Sequence, residues 1–331
     1  MFLSVRTFLE SKQEPKLLSY YTQDKNLLDV WKSGKDIYSV IASKAFNVPY
    51  EDCLEFYPEG TKINYHGQEV ICGKKTHTNK KGKERRAAAK PVLLGVMYSR
   101  GVNSVAEGIG RSKQEAQKII DDFFNGFPTV KPWMEETNQF AMKNGYVETF
   151  MGRRRYIENI QLPEYEFSYV DDRPADFNPL SFDSTECYTN QIPETDIIRY
   201  TKLLKNCKGY KDKETIKQKL FAEGIKVKDN SSKLAGALRE CVNSRIQGGA
   251  ADQSKLAMIN IENCQELKDL GFRLLIGVHD ELIGEAPMEN AKRCGELLAK
   301  CMTSAAYNIL KIPQECDVSI TKVWYGEEIN L

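Results

Sequence analysis

The sequence predicts an α+β protein, in which helices alternate with only a few strands. Two observations carry this prediction. Apolar residues recur at helical spacing in several segments, and two short apolar runs, FRLLIG at 272–277 and LIGEA at 282–286, form the arms of a predicted hairpin. Because helical segments dominate and strands are few, the pattern favours an α+β arrangement.

The composition is typical of a globular protein. The chain has 331 residues, of which 41% are hydrophobic and 28% charged. It contains no run of about 18 apolar residues, so we expect no transmembrane helix and no membrane partner. The N-terminal segment does not resemble a signal peptide, because Arg6 and Glu10 interrupt its apolar run. The nine scattered cysteines form no CxxC pair, which favours reduced thiols in the cytoplasm.

Charge is unevenly distributed along the chain. The net charge is only +1, but residues 71–90 carry eight basic side chains and one acidic one. Such a run is either a solvated loop or a basic patch beside a site that handles phosphates, and composition alone leaves both interpretations open.

The N-terminal half is predicted to be mainly helical. Apolar spacing predicts a helix or turn over 17–31 and helices over 36–46 and 83–97. Residues 50–82 are rich in turn formers and contain short β-like runs, so a loop or hairpin insertion is expected there.

A capping box marks the next helix, because Ser112 is followed three residues later by Glu115. A further helix is predicted over 131–143. The residues expected to face inward from the first of these helices are Ala116, Ile119, Ile120, Phe123 and Phe124.

The C-terminal half is predicted to begin with an irregular region. Residues 160–195 are acidic and aromatic with weak periodicity, which favours a long ordered insertion or a loop that contacts a partner. The elements expected after it are helices near 195–207, 213–222, 233–262 and 289–308 and a final strand near 316–323.

The turn of the predicted hairpin carries two adjacent acids, Asp280 and Glu281. Acids at a turn are most often solvated turn formers. The alternative is a carboxylate pair that holds a hard cation, because Mg²⁺ prefers oxygen ligands and is commonly held by one or two carboxylates together with substrate phosphates.

Four residues recur at intervals of four along one predicted helix: Arg86, Lys90, Leu94 and Tyr98. Each step drifts by about 40°, so all four lie on one broad face. Such a face belongs either to an ordinary amphipathic helix or to a nucleotide site. In a nucleotide site the two cations would contact the triphosphate, and Leu94 and Tyr98 would contact the base and sugar. Pro91 removes one backbone donor from this helix.

A second helix carries Arg239, Asn243 and Gln247, also four residues apart, just before the small residues of 248–251. Polar residues on one helix face are normally exposed to solvent, whereas small residues imply close packing nearby. The combination is either the lining of a groove or free surface.

In their order along the chain, these signals resemble the motifs of the family A DNA polymerases. The segment RRAAAKPVLLGVMYSRG at 85–101 resembles motif B, and VHDE at 278–281 resembles motif C. The variants QEP and LGVMY and the long insertion are more similar to phage-type members than to bacterial repair enzymes. The other similar segments are GRRRY at 152–156, NSRIQGGAADQSKLAM at 243–258, the later half of motif A at 13–18, and GKDIY at 34–38.

The resemblance implies a family A palm, an antiparallel sheet with a motif C hairpin, joined to helical fingers. It also implies that the thumb and the first palm strands are absent. The implied domains are a palm segment at 1–36, fingers at 37–156, an insertion at 157–232 and palm with motif C at 233–331.

The resemblance also implies roles for single residues. Asp280 is expected to ligate Mg²⁺, with Glu281 beside it and His279 near the primer terminus. The implied reaction is two-metal nucleotidyl transfer from a dNTP to the 3′-hydroxyl of a primer–template DNA. The residues expected at the dNTP are Arg86, Lys90, Leu94, Tyr98 and Glu14, the last as the gate against ribonucleotides; those expected at the DNA are Arg153, Arg154, Arg239, Asn243 and Gln247.

One expected metal ligand is missing. Motif A should begin with an aspartate five residues before Glu14, where the sequence has Leu9, and Glu10 lies on the opposite face of an extended strand. Ser99 also stands where the family usually has glycine. The favoured hypothesis is therefore a split polymerase whose upstream polypeptide supplies the thumb, the first palm strands and the missing aspartate, and could include an exonuclease domain.

Two other hypotheses remain open. A degenerate polymerase would bind nucleic acid without catalysis, although the retention of Arg86, Lys90, Tyr98 and Asp280 argues against wholesale decay. A structural or interaction protein would carry these motifs by chance. Detection of a stable complex with an upstream fragment would favour the split enzyme over both the degenerate polymerase and the structural protein. A phage-encoded member would work in the host cytoplasm.

Overall fold

The chain divides into two compact units in the computed structural model. The first consists of Met1–Ile157 and Arg239–Leu331, and the second is Glu158–Leu238. Helices and antiparallel sheets both occur, so the predicted α+β class is confirmed. The structure describes residues 2–9, 12–65, 67–98, 100–170, 192–278, 281–324 and 326–329.

The first unit contains most of the regular elements. Its strands are β1 (Phe2–Leu9), β2 (Lys62–Tyr65), β3 (Gln68–Ile71), β4 (Tyr146–Glu148), β5 (Arg154–Tyr156), β8 (Arg273–Val278), β9 (Glu281–Pro287) and β10 (Cys316–Thr321). Its helices are α1 (Gln13–Thr22), α2 (Lys25–Ser33), α3 (Ile37–Phe46), α4 (Lys80–Met97), α5 (Val102–Ile109), α6 (Lys113–Gly126), α7 (Val130–Asn144), α11 (Gln265–Asp269) and α12 (Ala291–Leu310). The second unit contains β6 (Tyr165–Tyr169), α8 (Glu194–Lys205), α9 (Tyr210–Ala222) and β7 (Ile225–Asp229), and α10 (Ser231–Asn263) contributes residues to both units.

Four strands form an antiparallel sheet in the order β10-β1-β9-β8. Its register pairs Val5 with Ile320 on one side and with Gly284 on the other. Val5 belongs to an apolar cluster with residues of α12. A Cβ atom at Gly284 would lie 2.2 Å from the ring of Phe272, so this position requires glycine. The predicted hairpin is observed as β8 and β9.

Strand β1 is a feature that the residue patterns did not predict, although the resemblance to motif A implied an extended strand around Leu9. Residues 2–9 pair with both β9 and β10, so the segment lies in the interior of the sheet. Buried Leu3, Val5 and Thr7 alternate with residues such as Arg6 that are less buried, which is the period-two signal of a strand. This alternation covers only a few residues, and no turn-forming residue marks its start, so it did not predict a strand.

Helices of the first unit pack around one apolar cluster that includes Leu93, Phe123 and Phe127. Three predicted helices are observed as α3, α4 and α7, and Pro91 lies inside α4. The predicted capping box of Ser112 begins α6, whose predicted inward residues are buried or partly buried. Strands β2 and β3 form the expected hairpin insertion.

The segment predicted as one helix or turn at 17–31 consists of two helices, α1 and α2, which meet at the buried Asp24. Its Oδ1 accepts hydrogen bonds from the amides of Asn26 at 2.9 Å and Leu27 at 3.2 Å. Its Oδ2 accepts from the amide of Thr129 at 3.2 Å and from its hydroxyl at 2.8 Å. One carboxylate therefore begins α2 and fixes it to the start of α7.

The second unit is a small α+β unit. Strands β6 and β7 pair antiparallel, with Phe167 opposite Val227. Tyr200 of α8 and Leu220 of α9 pack in an apolar cluster with this strand pair. The helices predicted for this region are observed as α8, α9 and α10. Much of the segment interpreted as an insertion or partner-contacting loop, residues 171–191, lies outside the described residues.

The last predicted helix and strand are observed as α12 and β10. No disulfide bond links the cysteines that the structure describes. Within the described ranges, no helix combines the length and apolar character needed to cross a membrane.

Replacing Asp24 by alanine should lower the free energy of unfolding by about 3 kcal/mol, because the change removes several hydrogen bonds of a buried carboxylate. Ser112→Ala is the matched control, because it removes an exposed helix cap and should cost about 1 kcal/mol. Urea unfolding followed by circular dichroism measures both losses. Equal losses in the two variants would contradict this account of Asp24.

Candidate active site

Three side chains from separate parts of the chain meet at one point. Tyr98 follows the end of α4, Glu14 lies in the first turn of α1, and Gln247 lies in α10. The Tyr98 hydroxyl donates to Glu14 Oε1 at 3.0 Å and accepts from Gln247 Nε2 at 3.4 Å. Burial raises the pKa of Tyr98; the hydrogen bond from Gln247 opposes this shift and the Glu14 carboxylate adds to it. The hydroxyl is therefore a neutral donor at neutral pH.

The packing of α1 against α10 brings Glu14 to this point. Gln13 Nε2 donates to Gln253 Oε1 at 3.0 Å, which joins the two helices. Gly249 permits their close approach, because a Cβ atom there would lie 3.1 Å from Leu17 Cδ2. The close packing implied by the run of small residues in α10 is thus observed.

The predicted face of α4 is also observed. Arg86 and Leu94 are partly exposed and Lys90 is exposed, whereas Val92 and Leu93 are buried on the other side of the helix. An ordinary amphipathic helix shows the same burial, so exposure alone assigns no ligand to this face.

Arg86 is held in a bidentate ion pair. Its Nε and Nη2 atoms donate to the carboxylate oxygens of Asp36 at 2.9 and 3.1 Å, and its guanidinium lies 5.7 Å from the ring centre of Tyr38. Burial by itself would raise the pKa of Asp36, but hydrogen bonds from Arg86 and Ser39 lower it below its ordinary value. The pair fixes the direction of the Arg86 side chain and leaves further N–H donors of its guanidinium for a ligand.

The GRRRY segment is tied to α10 by a buried carboxylate. Arg153 Nε donates to Asp252 Oδ1 at 2.6 Å, and the Thr149 hydroxyl also donates to Asp252. Arg154 pairs with Glu148 at 2.8 Å. Both arginines predicted to contact DNA thus have carboxylate partners, and Asp252, with 6% of its side chain exposed, needs Arg153 as its counter-charge.

A groove of about 460 Å³ lies between α10 and the β4–β5 hairpin. Arg153, Asn243 and Gln247 are among the residues that line it. Asn243 Oδ1 is buried and accepts no hydrogen bond from a described residue. Arg239 is exposed on the same helix but is not part of this lining. Three of the five residues predicted at the DNA therefore share one groove.

Sequence patterns missed a partly buried arginine, Arg245, in α10. The Arg245 guanidinium lies 4.5 Å from the ring centre of Tyr21 and 5.4 Å from that of Trp133, and the two rings stack on each other. It donates to the carbonyl of Glu148 and the hydroxyl of Thr137. Burial lowers the pKa of Arg245 and raises that of Tyr21 to about 12. Because these partners are far away in the sequence, no local pattern marks Arg245.

Strand β1 brings Leu9 to the end of the sheet that carries the motif C hairpin. Phe8 pairs with Glu281 of β9, and Leu9 is the next residue of β1. The Glu281 carboxylate is buried, with Oε1 at 3.6 Å from Arg6 Nη1. Leu9, which stands where the resemblance places an aspartate, therefore belongs to the strand beside motif C.

The described residues do not fit a two-ion magnesium site. His279 and Asp280, predicted as catalytic and metal-binding, lie outside them. In the rest of the chain that the structure describes, no cluster of three or more His, Cys, Asp or Glu side chains could hold a metal ion. Leu9 offers no oxygen ligand and Glu281 is already paired with a cation, so binding here would depend on Asp280 and on ligands from another source.

The fold and the order of these motifs define a polymerase-type chain. A sequence model described as DNA polymerase family A matches residues 10–175 and 186–326. Since the match covers most of the chain, the chain belongs to DNA polymerase family A.

Curated relatives agree with this membership. The chain is 25% identical over 314 residues to DNA polymerase I of Chloroflexus aurantiacus and 26% identical over 314 residues to the thermostable DNA polymerase I of Thermus aquaticus. These alignments cover 95% of this chain but 23% and 26% of the relatives. DNA polymerase theta of Drosophila melanogaster is 26% identical over 318 residues, 94% of this chain and 11% of that protein. The chain therefore spans about a quarter of the length of these bacterial relatives and 11% of the length of the Drosophila protein.

A solved structure supports the fold. The POL domain of Pol1 from M. smegmatis, in complex with DNA primer-template and dNTP, superposes with a TM-score of 0.60 at 21% sequence identity. The similarity covers 97% of this chain and 40% of that one.

The pairing of Asp36 with Arg86 should make stability depend on pH. Because the folded-state pKa of Asp36 lies below its ordinary 3.8, its stabilising contribution is present well above pH 3.8 and is lost as the pH falls through the folded-state value. Asp36→Asn keeps a helix-cap acceptor but removes the charge. The unaltered chain should therefore be the more stable at neutral pH and should converge with the variant in acid. Urea unfolding across this range measures the difference, and a difference that does not narrow would contradict the account.

Proposed function

We propose that the chain performs template-directed DNA synthesis, the transfer of a nucleotide from a dNTP to the 3′-hydroxyl of a primer. In this proposal it is the C-terminal part of a split family A DNA polymerase, and an N-terminal fragment completes it. The observation that carries the proposal is the meeting of Glu14, Tyr98 and Gln247 at the end of the cationic face of α4.

The proposed domains are palm at 1–36 and 233–331, fingers at 37–156 and an insertion at 157–232. The division of the chain supports the insertion, because the second compact unit, Glu158–Leu238, covers nearly the same residues. The insertion and the motif variants favour a phage-type member that works in the host cytoplasm.

The incoming dNTP is assigned to the exposed face of α4. Lys90 is exposed, and Arg86 keeps guanidinium donors beyond those used by Asp36, so both cations are available to a triphosphate. Leu94 and Tyr98 continue this face and are assigned to the base and sugar. Glu14, which accepts the hydrogen bond of Tyr98, is assigned as the gate against the 2′-hydroxyl of ribonucleotides.

Primer–template DNA is assigned to the groove between α10 and the β4–β5 hairpin. Asn243 and Gln247 line this groove, and the buried Asn243 Oδ1, which has no hydrogen-bond donor among the described residues, supports a polar ligand there. Arg153, Arg154 and the exposed Arg239 are assigned to backbone phosphates, which position a duplex without reading its sequence.

Family A polymerases use Mg²⁺, and we expect DNA synthesis by this chain to require it. The described residues supply too few oxygen ligands, since Leu9 replaces an aspartate and Glu281 is paired with Arg6. The missing carboxylate is assigned to the N-terminal fragment. Because β1 already fills the position between β9 and β10, a strand of that fragment would have to displace β1, or its carboxylate would have to approach from beyond the hairpin end.

A second candidate function is DNA binding without catalysis. Leu9 and the ion pair between Arg6 and Glu281 favour it, because both reduce the negative charge available to Mg²⁺. The hydrogen-bonded contact of Tyr98 with Glu14 favours the polymerase instead, since a DNA-binding protein without catalysis has no need of a nucleotide gate.

A primer-extension assay distinguishes DNA synthesis from DNA binding without catalysis. The chain is tested alone and mixed with the upstream polymerase fragment from the same genome, with Asp280→Ala as the catalytic control. We expect Mg²⁺-dependent extension only in the mixture, and its loss in the control. Primer–template binding with no extension in either case would contradict the polymerase and support the second function.

A further inference from the structure

We propose that the chain binds single-stranded DNA on a surface outside the groove between α10 and the β4–β5 hairpin. This hairpin surface lies on the β2–β3 hairpin, on the segment that joins it to α4 and on the start of α4, and none of its residues lines the groove. The choice of DNA over RNA rests on the proposed function, whereas the existence of the surface does not. The residues of the hairpin surface are Tyr65, Lys74, Lys75, His77, Lys80 and Lys81.

Positive charge is concentrated on the hairpin surface. Residues 71–81 contain four lysines and no acidic residue, and all four lysines are exposed. Acids of the neighbouring segments pair with other cations, Glu55 with Lys83 at 2.9 Å and Glu69 with Lys62 at 2.8 Å. In the described part of the chain, no acid forms an ion pair with any of the four lysines. Four unpaired cations in so short a segment attract a polyanion.

The segment that carries these lysines is anchored at both ends. The amide of Cys72 donates to the carbonyl of Thr61 at 2.9 Å, and the amide of Asn79 donates to the carbonyl of Glu55 at 2.9 Å. Both Cys72 and Asn79 are buried. Because the backbone is already fixed at these points, less conformational entropy is lost when an anion binds. A solvated loop, which is the other interpretation of this charge run, needs no such anchors.

Aromatic side chains lie beside the lysines. The ring centres of Tyr65 and His77 are 5.0 Å apart, and the rings meet edge to face. Tyr65 is 51% exposed, so this contact orients its ring and leaves part of it open to a ligand. Unpaired bases stack on such rings while lysines neutralise their phosphates, whereas the bases of a duplex are already stacked on one another. The combination therefore favours a single strand over a duplex.

Fluorescence anisotropy of a labelled oligodeoxythymidine of about 16 nucleotides, titrated with the full chain, tests the proposal. Replacing the four lysines by glutamine should raise the dissociation constant at least about tenfold at about 0.1 M salt. It should also reduce the slope of log K against log salt concentration by about 3, because each single-strand phosphate contributes about 0.7. This hairpin variant is Lys74→Gln/Lys75→Gln/Lys80→Gln/Lys81→Gln.

A matched control removes the same charge from exposed lysines of α2, α6 and α7. Its dissociation constant should change by less than about threefold, because charges more than about 10 Å from the DNA are largely screened at this salt concentration. The control variant is Lys25→Gln/Lys113→Gln/Lys118→Gln/Lys131→Gln.

Stacking is tested at Tyr65 in the same assay. Tyr65→Phe keeps the ring and should bind the oligodeoxythymidine within about twofold of the unaltered chain, whereas Tyr65→Leu should bind about fivefold more weakly. Because all the substituted side chains are exposed, the variants should fold, and circular dichroism checks this.

Equal losses of affinity in the hairpin and control variants would overturn the proposal, as would an unchanged dissociation constant in the hairpin variant. Binding by Tyr65→Leu as tight as that by Tyr65→Phe would overturn the stacking contact. If the hairpin variant lost as much affinity for a blunt-ended duplex as for the single strand, the assignment to single-stranded DNA would be wrong. Failure of primer extension in the mixture bears on the proposed function and leaves these results unaffected.

Discussion

The packing of α1 against the middle of α10 is the contact on which the candidate site depends. Gly249 allows the two helices to approach, and the hydrogen bond from Gln13 to Gln253 fixes them in register. This contact sets Glu14 against Tyr98, and α1 follows closely after β1 in the chain, so one helix links the four-stranded sheet to the helical part. A Cβ atom at position 249 would lie 3.1 Å from Leu17 Cδ2, so any larger residue there would require the Leu17 side chain of α1 to shift.

Charge is arranged in opposite ways at the two ends of the site. Arg86 and Lys90 place two positive charges on α4. Asp36 pairs with Arg86 but leaves part of the Arg86 guanidinium available to a ligand. At the motif C hairpin, Leu9 removes one expected anion and Arg6 compensates the charge of Glu281. The residues proposed to bind a nucleotide thus lie close together, whereas the described residues at the proposed cation site carry little uncompensated negative charge. This asymmetry supports the proposal of a split enzyme.

Local sequence patterns were sufficient to predict the elements that a short stretch of the chain defines. The exposed face of α4, the capping box at Ser112 and the β8–β9 hairpin follow from periodicity and cap chemistry alone. The contact between Glu14 and Tyr98 depended on the resemblance, because its members are distant in sequence and each is unremarkable by itself. The interactions of partly buried cations such as Arg6 and Arg245 were missed, since their partners belong to other strands and helices and only the folded chain brings them together.

Restoring a carboxylate at position 9 tests the central claim most directly, namely that the nucleotide and DNA sites are assembled and that the missing motif A carboxylate prevents catalysis. Leu9→Asp is compared with Leu9→Asn, which has nearly the same shape as aspartate but no charge, in single-nucleotide extension of a primer–template with Mg²⁺. The account predicts extension by the Leu9→Asp chain and none by the Leu9→Asn or the unaltered chain. Equal extension by the two variants, including none by either, would contradict it.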